Sequence, residues 1–373
     1  MNWYSYDSID KIDSIYKIVI GERSNGKTYG WCKKVLEEYL KTGTPSAYIR
    51  RHEEQIKPRY LKNLFNVQMD DWVEKATKGR WNCVVYWLND FKLARRETLA
   101  NGETKIVAKD DKEFCRCYAV STVETSKGAD RGPVKYVCFD EFITRQYYLQ
   151  NEFVLFQNLL SSIIRKRQGI TIYMLANTVN KYCPYFRNMG LRKIGVQKQG
   201  TIDVYKMGES KMKIAVEYCD SLEKSTDTPV VSQYFAFDNP RIQMITTGSW
   251  EIDMYRLAPP ELSDYKVILS FFVIFEEQTI QGDIHMYKGY PLIFFHPKTT
   301  PIKEPERTII YTQDTMDSNP LHQVDIRNKP TKAHELIMAL FNQRKTYYSD
   351  NECGEVIANW IKSCITLRTS IKI

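Results

Sequence analysis

The octapeptide Gly21-Glu22-Arg23-Ser24-Asn25-Gly26-Lys27-Thr28 meets the pattern GxxxxGK[ST] at every fixed position. Such a loop does chemistry on phosphate. Gly21 and Gly26 let the backbone curl until the N–H groups of the residues between them, Arg23, Ser24 and Asn25 included, face phosphate oxygens, and a helix starting there adds the positive end of its dipole. Lys27 reaches the β- and γ-phosphates, and the Thr28 hydroxyl can ligate magnesium. ATP and Mg2+ are therefore the expected substrate and cofactor. Further along, VCFDE (137–141) is an apolar run that ends in two carboxylates. Asp140 is expected beside the magnesium and Glu141 beside the water that attacks the γ-phosphate. Asn177 closes ITIYMLAN, where an amide could sense the γ-phosphate and hold that water. Arg165, Lys166 and Arg167 end the preceding helical run. The helix dipole explains cations there, and so would an arginine that reaches a neighbouring subunit's γ-phosphate.

These residues need a scaffold, and the pattern supplies one. IYKIVI (15–20) reads as a buried strand that runs into the glycine loop, and YGWCKKVLEEYLKTG has helical spacing with Gly43 as its stop. SAYIR (46–50) follows as a second strand, completing a βαβ unit. Residues 53–113 are mixed, with a helix expected near 55–65 and a strand at 82–88. A loop of small and turn residues (124–133) leads into the strand carrying Asp140; a helix (151–167) and a strong strand (170–177) come next. This alternation predicts an α/β fold with its chemistry at the carboxyl ends of the strands. Beyond Arg187, short β-rich runs at 265–275 and 290–297 and helical stretches near 331–344 and 353–366 predict a smaller α+β domain. The expected division is an ATPase domain over 1–200, a charged linker over 201–230 and a C-terminal domain over 231–373.

Composition narrows the classes. No apolar run approaches the ~20 residues a membrane-spanning helix needs, and the start has neither a basic nor an apolar leader segment, so a cytoplasmic setting is expected. Nine scattered cysteines fit a reducing compartment. Cys115 and Cys117 lack the second pair or histidine that a zinc site would require, and read as alternate positions on a strand. A net charge of +8 is compatible with a polyanionic partner or with a solvated surface.

Arg23 before Lys27, IRR (49–51), FDEF (139–142), SIIRKR (162–167) and LAN followed by NKYCPYF (180–186) together resemble the DNA-packaging ATPases of small podoviruses, the Picovirinae-like phages. Those motors are relatives of large-terminase ATPases and of FtsK/HerA translocases. The resemblance covers about 1–190 with specific motifs and the rest loosely. It implies an ASCE, RecA-like P-loop NTPase domain followed by a degenerate nuclease domain of RNase H-like shape. It also implies a homo-oligomeric ring of five subunits that docks on the portal of a prohead in the host cytoplasm and drives double-stranded DNA inward. In some members a packaging RNA attaches the ring. On this resemblance Gly21, Gly26, Lys27 and Thr28 bind phosphate with Arg23 at the basic loop position, Asp140 holds magnesium and Glu141 is catalytic. Arg165 falls at the place of the trans-acting finger and Asn177 at the sensor position. Lys127 falls where the family has a basic residue near the subunit interface, and Arg50 and Arg51 fall in a segment that faces DNA. YKVILSFFVIF carries no acid and Asp283 has no partner by spacing, so no nuclease activity is expected. Other classes stay open. A helicase-type ATPase would prefer single strands, a small-molecule kinase would need an acceptor where Glu141 suits water, and a non-catalytic nucleotide-binding subunit would leave the carboxylates idle.

Overall fold

Five apolar runs of the first 220 residues and the last stretch of a sixth strand lie side by side and are largely buried, as parallel strands covered on both faces must be. A computed structural model describes residues 4–65, 69–123, 131–145, 148–210, 212–220, 249–276, 278–312 and 317–369. The chain divides into two compact units, residues 1–250 and 251–373.

The first unit opens with a short helix α1 (Asp7–Asp10), strand β1 (Tyr16–Gly21), helix α2 (Lys27–Thr42) and strand β2 (Ser46–Arg50). Every residue of β1 is buried. Gly43 ends α2 in the left-handed conformation (φ 71°), the stop read from sequence. The helix expected near 55–65 is broken: a 3₁₀ turn covers Glu53–Ile56 and α3 only Pro58–Leu61. Pro58 pushes Lys57 to extended backbone (ψ 153°) and lacks an N–H, so one helix cannot run through it. Helix α4 (Asp70–Ala76) precedes β3 (Cys83–Trp87), β4 (Asp90–Thr98) and the long β5 (Thr104–Ala119). Cys115 and Cys117 are buried on β5, and all nine cysteines are free thiols. Strand β6 (Tyr136–Asp140), helix α5 (Glu152–Ile164), strand β7 (Thr171–Asn177), helix α6 (Pro184–Asn188) and the hairpin β8 (Thr201–Lys206) and β9 (Lys213–Tyr218) complete the unit.

These strands form one sheet in the order β3-β4-β5-β2-β6-β7-β1-β9-β8. From β5 to β9 neighbours are parallel, with antiparallel pairs at both ends. Strand β7 is inserted between β6 and β1, so Gly21 pairs with Asn177, and Asp140 with Leu175 two residues back on the same strand. One apolar core lies on each face. Ile18, Ile20, Phe139 and Phe156 meet on the side of α5; Val19, Trp31, Tyr48 and Leu175 meet on the side of α2. Alternate side chains of β1 thus serve opposite cores.

The expected linker at 201–230 is corrected in its first half: β9 pairs with β1 and β8 with β9, so residues 201–218 belong to the first sheet. Strand β8 lies at the sheet edge and has no buried residue, which is why it reads as polar and linker-like. Residues 221–230 of that stretch lie outside the described residues.

The second unit is an α+β layer. An antiparallel meander of β10 (Val267–Phe275), β11 (Gln278–Tyr287) and β12 (Tyr290–Pro297) is extended by parallel strands, β13 (Ile310–Thr312) and β14 (His322–Gln323) beside β10 and β15 (Thr346–Tyr348) beside β12. Helices α7 (Lys332–Asn342) and α8 (Asn351–Thr369) cover one face through Phe295 against Phe341 (5.6 Å) and Tyr311 against Trp360 (5.1 Å). No described helix is long and apolar enough to cross a membrane.

The first unit depends on α5 seating against β6. Phe156 is fully buried, 5.0 Å from the Phe139 ring and 5.8 Å from Tyr185. Phe156→Ala should therefore lower the stability of this unit by about 3–5 kcal/mol, read from a shifted urea midpoint.

Candidate functional site

Strand β1 delivers the glycine loop at the carboxyl edge of the sheet. A Cβ on Gly21 would stand 2.8 Å from the Cβ of Cys219, so only glycine fits where the end of β9 closes on the loop. The loop curls through left-handed Ser24 (φ 61°) and Gly26 (φ 90°). Gly26 caps α2 without a side-chain oxygen, and the Lys27 N–H donates to Asn25 Oδ1 at 3.2 Å. This is the curled loop and helix start that the octapeptide predicts.

The Lys27 ammonium is buried and sits among oxygens: the Glu22 carbonyl at 2.7 Å, Asn25 Oδ1 at 3.0 Å, Asn177 Oδ1 at 3.3 Å and the Gly21 carbonyl at 3.4 Å. Burial pulls this group below the usual lysine range, against the nearby negative charges of Asp140 and Glu22. Asn177 lies at the tip of β7, in contact with the P-loop lysine. Arg23 and Ser24 are exposed on the loop.

Asp140, at the end of β6, gathers the second half of the site. Its carboxylate accepts hydrogen bonds from Thr28 Oγ1 at 3.1 Å, from the Tyr48 hydroxyl at 2.7 Å and from the Glu141 N–H at 3.0 Å. Burial and the Asp140 charge hold the Tyr48 hydroxyl well above the usual tyrosine range, so it remains a donor. A hydroxyl and a carboxylate this close are a fitting oxygen pair for Mg2+. Glu141 takes the left-handed conformation (φ 56°), a strained arrangement for a non-glycine residue, and its side chain is 55% exposed while ion-paired to Arg50.

Arg50 and Arg51, expected in a segment that faces DNA, both have carboxylate partners within the chain. Neither faces outward. Arg50 turns into the site, bonded to Glu141, 3.6 Å from Asp140 Oδ2 and 3.4 Å from the Tyr48 hydroxyl. Arg51 is buried, its Nε 3.0 and 2.9 Å from the two Glu152 carboxylate oxygens, and it also donates to the Glu141 carbonyl at 3.3 Å. The reason is topological: β2 lies beside β6 inside the sheet, so cations at its end meet the carboxylates of β6 and α5. A buried cation requires such partners. The Tyr185 hydroxyl (2.9 Å) and Leu149 N–H (2.7 Å) complete the hydrogen bonding of Glu152.

Arg165 caps α5 in the left-handed conformation (φ 44°), is exposed, and donates through Nε to the Ser162 carbonyl at 3.2 Å. Strand β7 begins six residues later and ends beside Gly21, so Arg165 stands at the opposite edge of the sheet from the P-loop of its own chain. Lys127 lies outside the described residues.

Three tyrosines of the site escaped the sequence reading. Tyr48 shares a strand face with Arg50, and that alternation was a usable signal. Tyr6, whose hydroxyl donates to the Lys27 carbonyl at 2.9 Å, and Tyr4, which donates to Glu217 at 2.7 Å and through its N–H to the Asn25 carbonyl at 2.9 Å, brace the loop from the chain start. No local pattern marks them. For the buried pair, Arg51→Ala strands the Glu152 charge and should cost about 3–5 kcal/mol in urea unfolding, whereas removal of a solvent-exposed pair costs about 0–1 kcal/mol.

No family model matches the chain. The DNA packaging protein of Bacillus phage B103 is 27% identical over 184 residues, 48% of this chain and 49% of that protein. That of Bacillus phage phi29 is 25% identical over 189 residues, 49% of each. The chain spans about half the length of the curated relatives it matches. Among solved structures, the bacteriophage phi29 genome packaging motor assembly superposes with a TM-score of 0.59 at 19% identity, covering 97% of this chain and 98% of the other. The phi28 DNA packaging motor gives 0.53 at 18% identity over 98% of each. Over nearly its whole length the chain has the fold of these phage packaging motors, and over about half of it the similarity extends to the sequences of phage DNA packaging proteins.

Proposed function

We propose that this chain is an ATPase that moves double-stranded DNA, packaging a viral genome into a prohead through its portal. The observation that supports the reading best is one convergence. Three separate strand ends bring Lys27, Asn177, Thr28, Asp140 and Glu141 to a single edge of the sheet, with Lys27 bonded to Asn177 and Thr28 bonded to Asp140. Sequence similarity to phage DNA packaging proteins and the shared motor fold supply the DNA and the prohead.

In this reading the curled loop and Lys27 hold the β- and γ-phosphates, and Asn177 orients the attacking water. Glu141 takes a proton as the water oxygen bonds to the γ-phosphorus and the bond to the ADP oxygen breaks. Magnesium, when bound by Thr28 and Asp140, supplies charge neutralisation at the phosphate oxygens. The ion pair with Arg50 occupies the Glu141 carboxylate, so hydrolysis requires that carboxylate to turn from Arg50 to the water. Arg165, remote from its own P-loop, suits a finger that acts on the next subunit of a homomeric ring of five. The ring works at the portal vertex in the host cytoplasm, and attachment through a packaging RNA is part of the same proposal. The second unit serves as its nucleic-acid or prohead contact and as a nuclease domain that has lost cleavage. Its Asp283 is engaged by Ser270 (2.6 Å), Gln281 (2.9 Å) and His296 (2.9 Å).

Steady-state hydrolysis, measured alone and with long double- or single-stranded DNA, tests the reading. Stimulation by double strands is expected; preference for single strands would favour a helicase-type ATPase instead. Glu141→Gln should bind ATP normally and hydrolyse it at least about 100-fold more slowly, and retained turnover would remove Glu141 from catalysis. Arg165→Ala should be inactive alone and regain activity when mixed with Glu141→Gln, whose finger is intact; failure to regain it would argue for a structural role.

A further inference from the structure

With Arg50 and Arg51 turned inward, the cations that would meet a duplex must be sought elsewhere on the first unit. The chain contains 45 acidic residues, yet none lies between Glu152 and Asp203. Residues 178–200, the second half of that acid-free stretch, carry Lys181, Arg187, Arg192, Lys193 and Lys198. The segment leaves β7 at Asn177 and returns at Thr201, which pairs with Tyr218 at the carboxyl end of β9. It therefore lies along the same edge of the sheet as the P-loop and Glu141.

The segment is anchored firmly. Cys183, Tyr185, Phe186, Met189, Leu191 and Ile194 are buried in the core beneath it, while Arg187, Arg192, Lys193 and Lys198 are exposed. It is also bonded to both halves of the site. At its start the Thr178 N–H donates to the Gly21 carbonyl at 3.2 Å, next to the contact of Asn177 with Lys27. At its middle the Tyr185 hydroxyl holds Glu152, which holds Arg51, which in turn donates to the Glu141 carbonyl. At its end the Gln197 amide donates to the Val216 carbonyl on β9 at 2.9 Å.

We infer that residues 178–200 form a basic plate that grips the phosphate backbone of double-stranded DNA and is mechanically joined to the hydrolytic site through Asn177 and Tyr185. The inference rests on the proposed ATPase reading and adds to it the surface that meets the duplex. Cations without acidic neighbours in sequence suit contacts that position DNA independently of its sequence. A plate fixed by a buried apolar underside can transmit a displacement, because packed interiors do not deform continuously.

The test uses the full chain, a labelled DNA duplex read by fluorescence anisotropy across a salt series, and ATP hydrolysis with and without that duplex. Lys193→Glu/Lys198→Glu lies away from the nucleotide and should keep basal hydrolysis within about twofold of wild type. It should weaken duplex binding at least about tenfold and flatten the slope of log affinity against log salt by about two. Tyr185→Phe should retain duplex affinity and lose stimulation by DNA. Unchanged affinity and salt slope in the double variant would overturn the plate, as would tighter binding to an RNA duplex than to DNA. Wild-type chain that binds the duplex through these lysines but never hydrolyses ATP would overturn the ATPase reading and leave the surface assignment standing.

Discussion

A single negative charge organises the site, the Asp140 carboxylate placed where it is nearly shielded from water. It joins four residues at once: Thr28 at the start of α2, Tyr48 and Arg50 on β2, and the Glu141 backbone beyond β6. A buried carboxylate is tolerated only when its oxygens are satisfied. Here the groups that satisfy it are those that must be held in register for phosphate chemistry. Moving any one of these strand ends would leave Asp140 short of a donor, so the site is braced by the same interactions that make its charge admissible.

The sheet order explains how so few residues suffice. With β7 between β6 and β1, the P-loop lysine, the amide of Asn177 and the two carboxylates come from strands that end together, each presenting its last residues to the same crevice. Behind this row, Arg51 and Glu152 form a second, buried ion pair that fixes the backbone after Glu141. It ties the first turn of α5 to the carboxyl end of the sheet, while Phe156 further along that helix secures it against β6. Rigidity under the site and a strained, partly exposed Glu141 at its surface belong together. The left-handed backbone persists because its surroundings over-determine it.

Charge separates the two arginines at the end of β2 from the cations of residues 178–200. Acidic groups lie within bonding distance of Arg50 and Arg51, so both are spent on holding the site, whereas the cations of residues 178–200 emerge from an apolar underside in a stretch without acidic residues. The first set neutralises the protein's own carboxylates; the second is the surface assigned to a polyanionic partner.

The glycine loop, the strand ending in Asp140 and Glu141, and Asn177 at the tip of its strand were legible in the amino-acid order alone, because phosphate binding demands particular residue types close together in the chain and buried parallel strands announce themselves as apolar runs. The α/β class and the smaller second unit followed from the same periodicity. Sequence did not disclose the roles of Arg50 and Arg51, since their partners Glu141 and Glu152 lie some ninety to a hundred positions away, nor the bracing by Tyr4 and Tyr6. It placed a linker over residues 201–230, of which 201–206 are an edge strand without a buried residue and 213–218 a strand of the first sheet. Residue type and local spacing determined what chemistry this chain could attempt. Which cations face inward, and which strands close the sheet, was decided by long-range pairing, where burial of charge forces partners that no local pattern records.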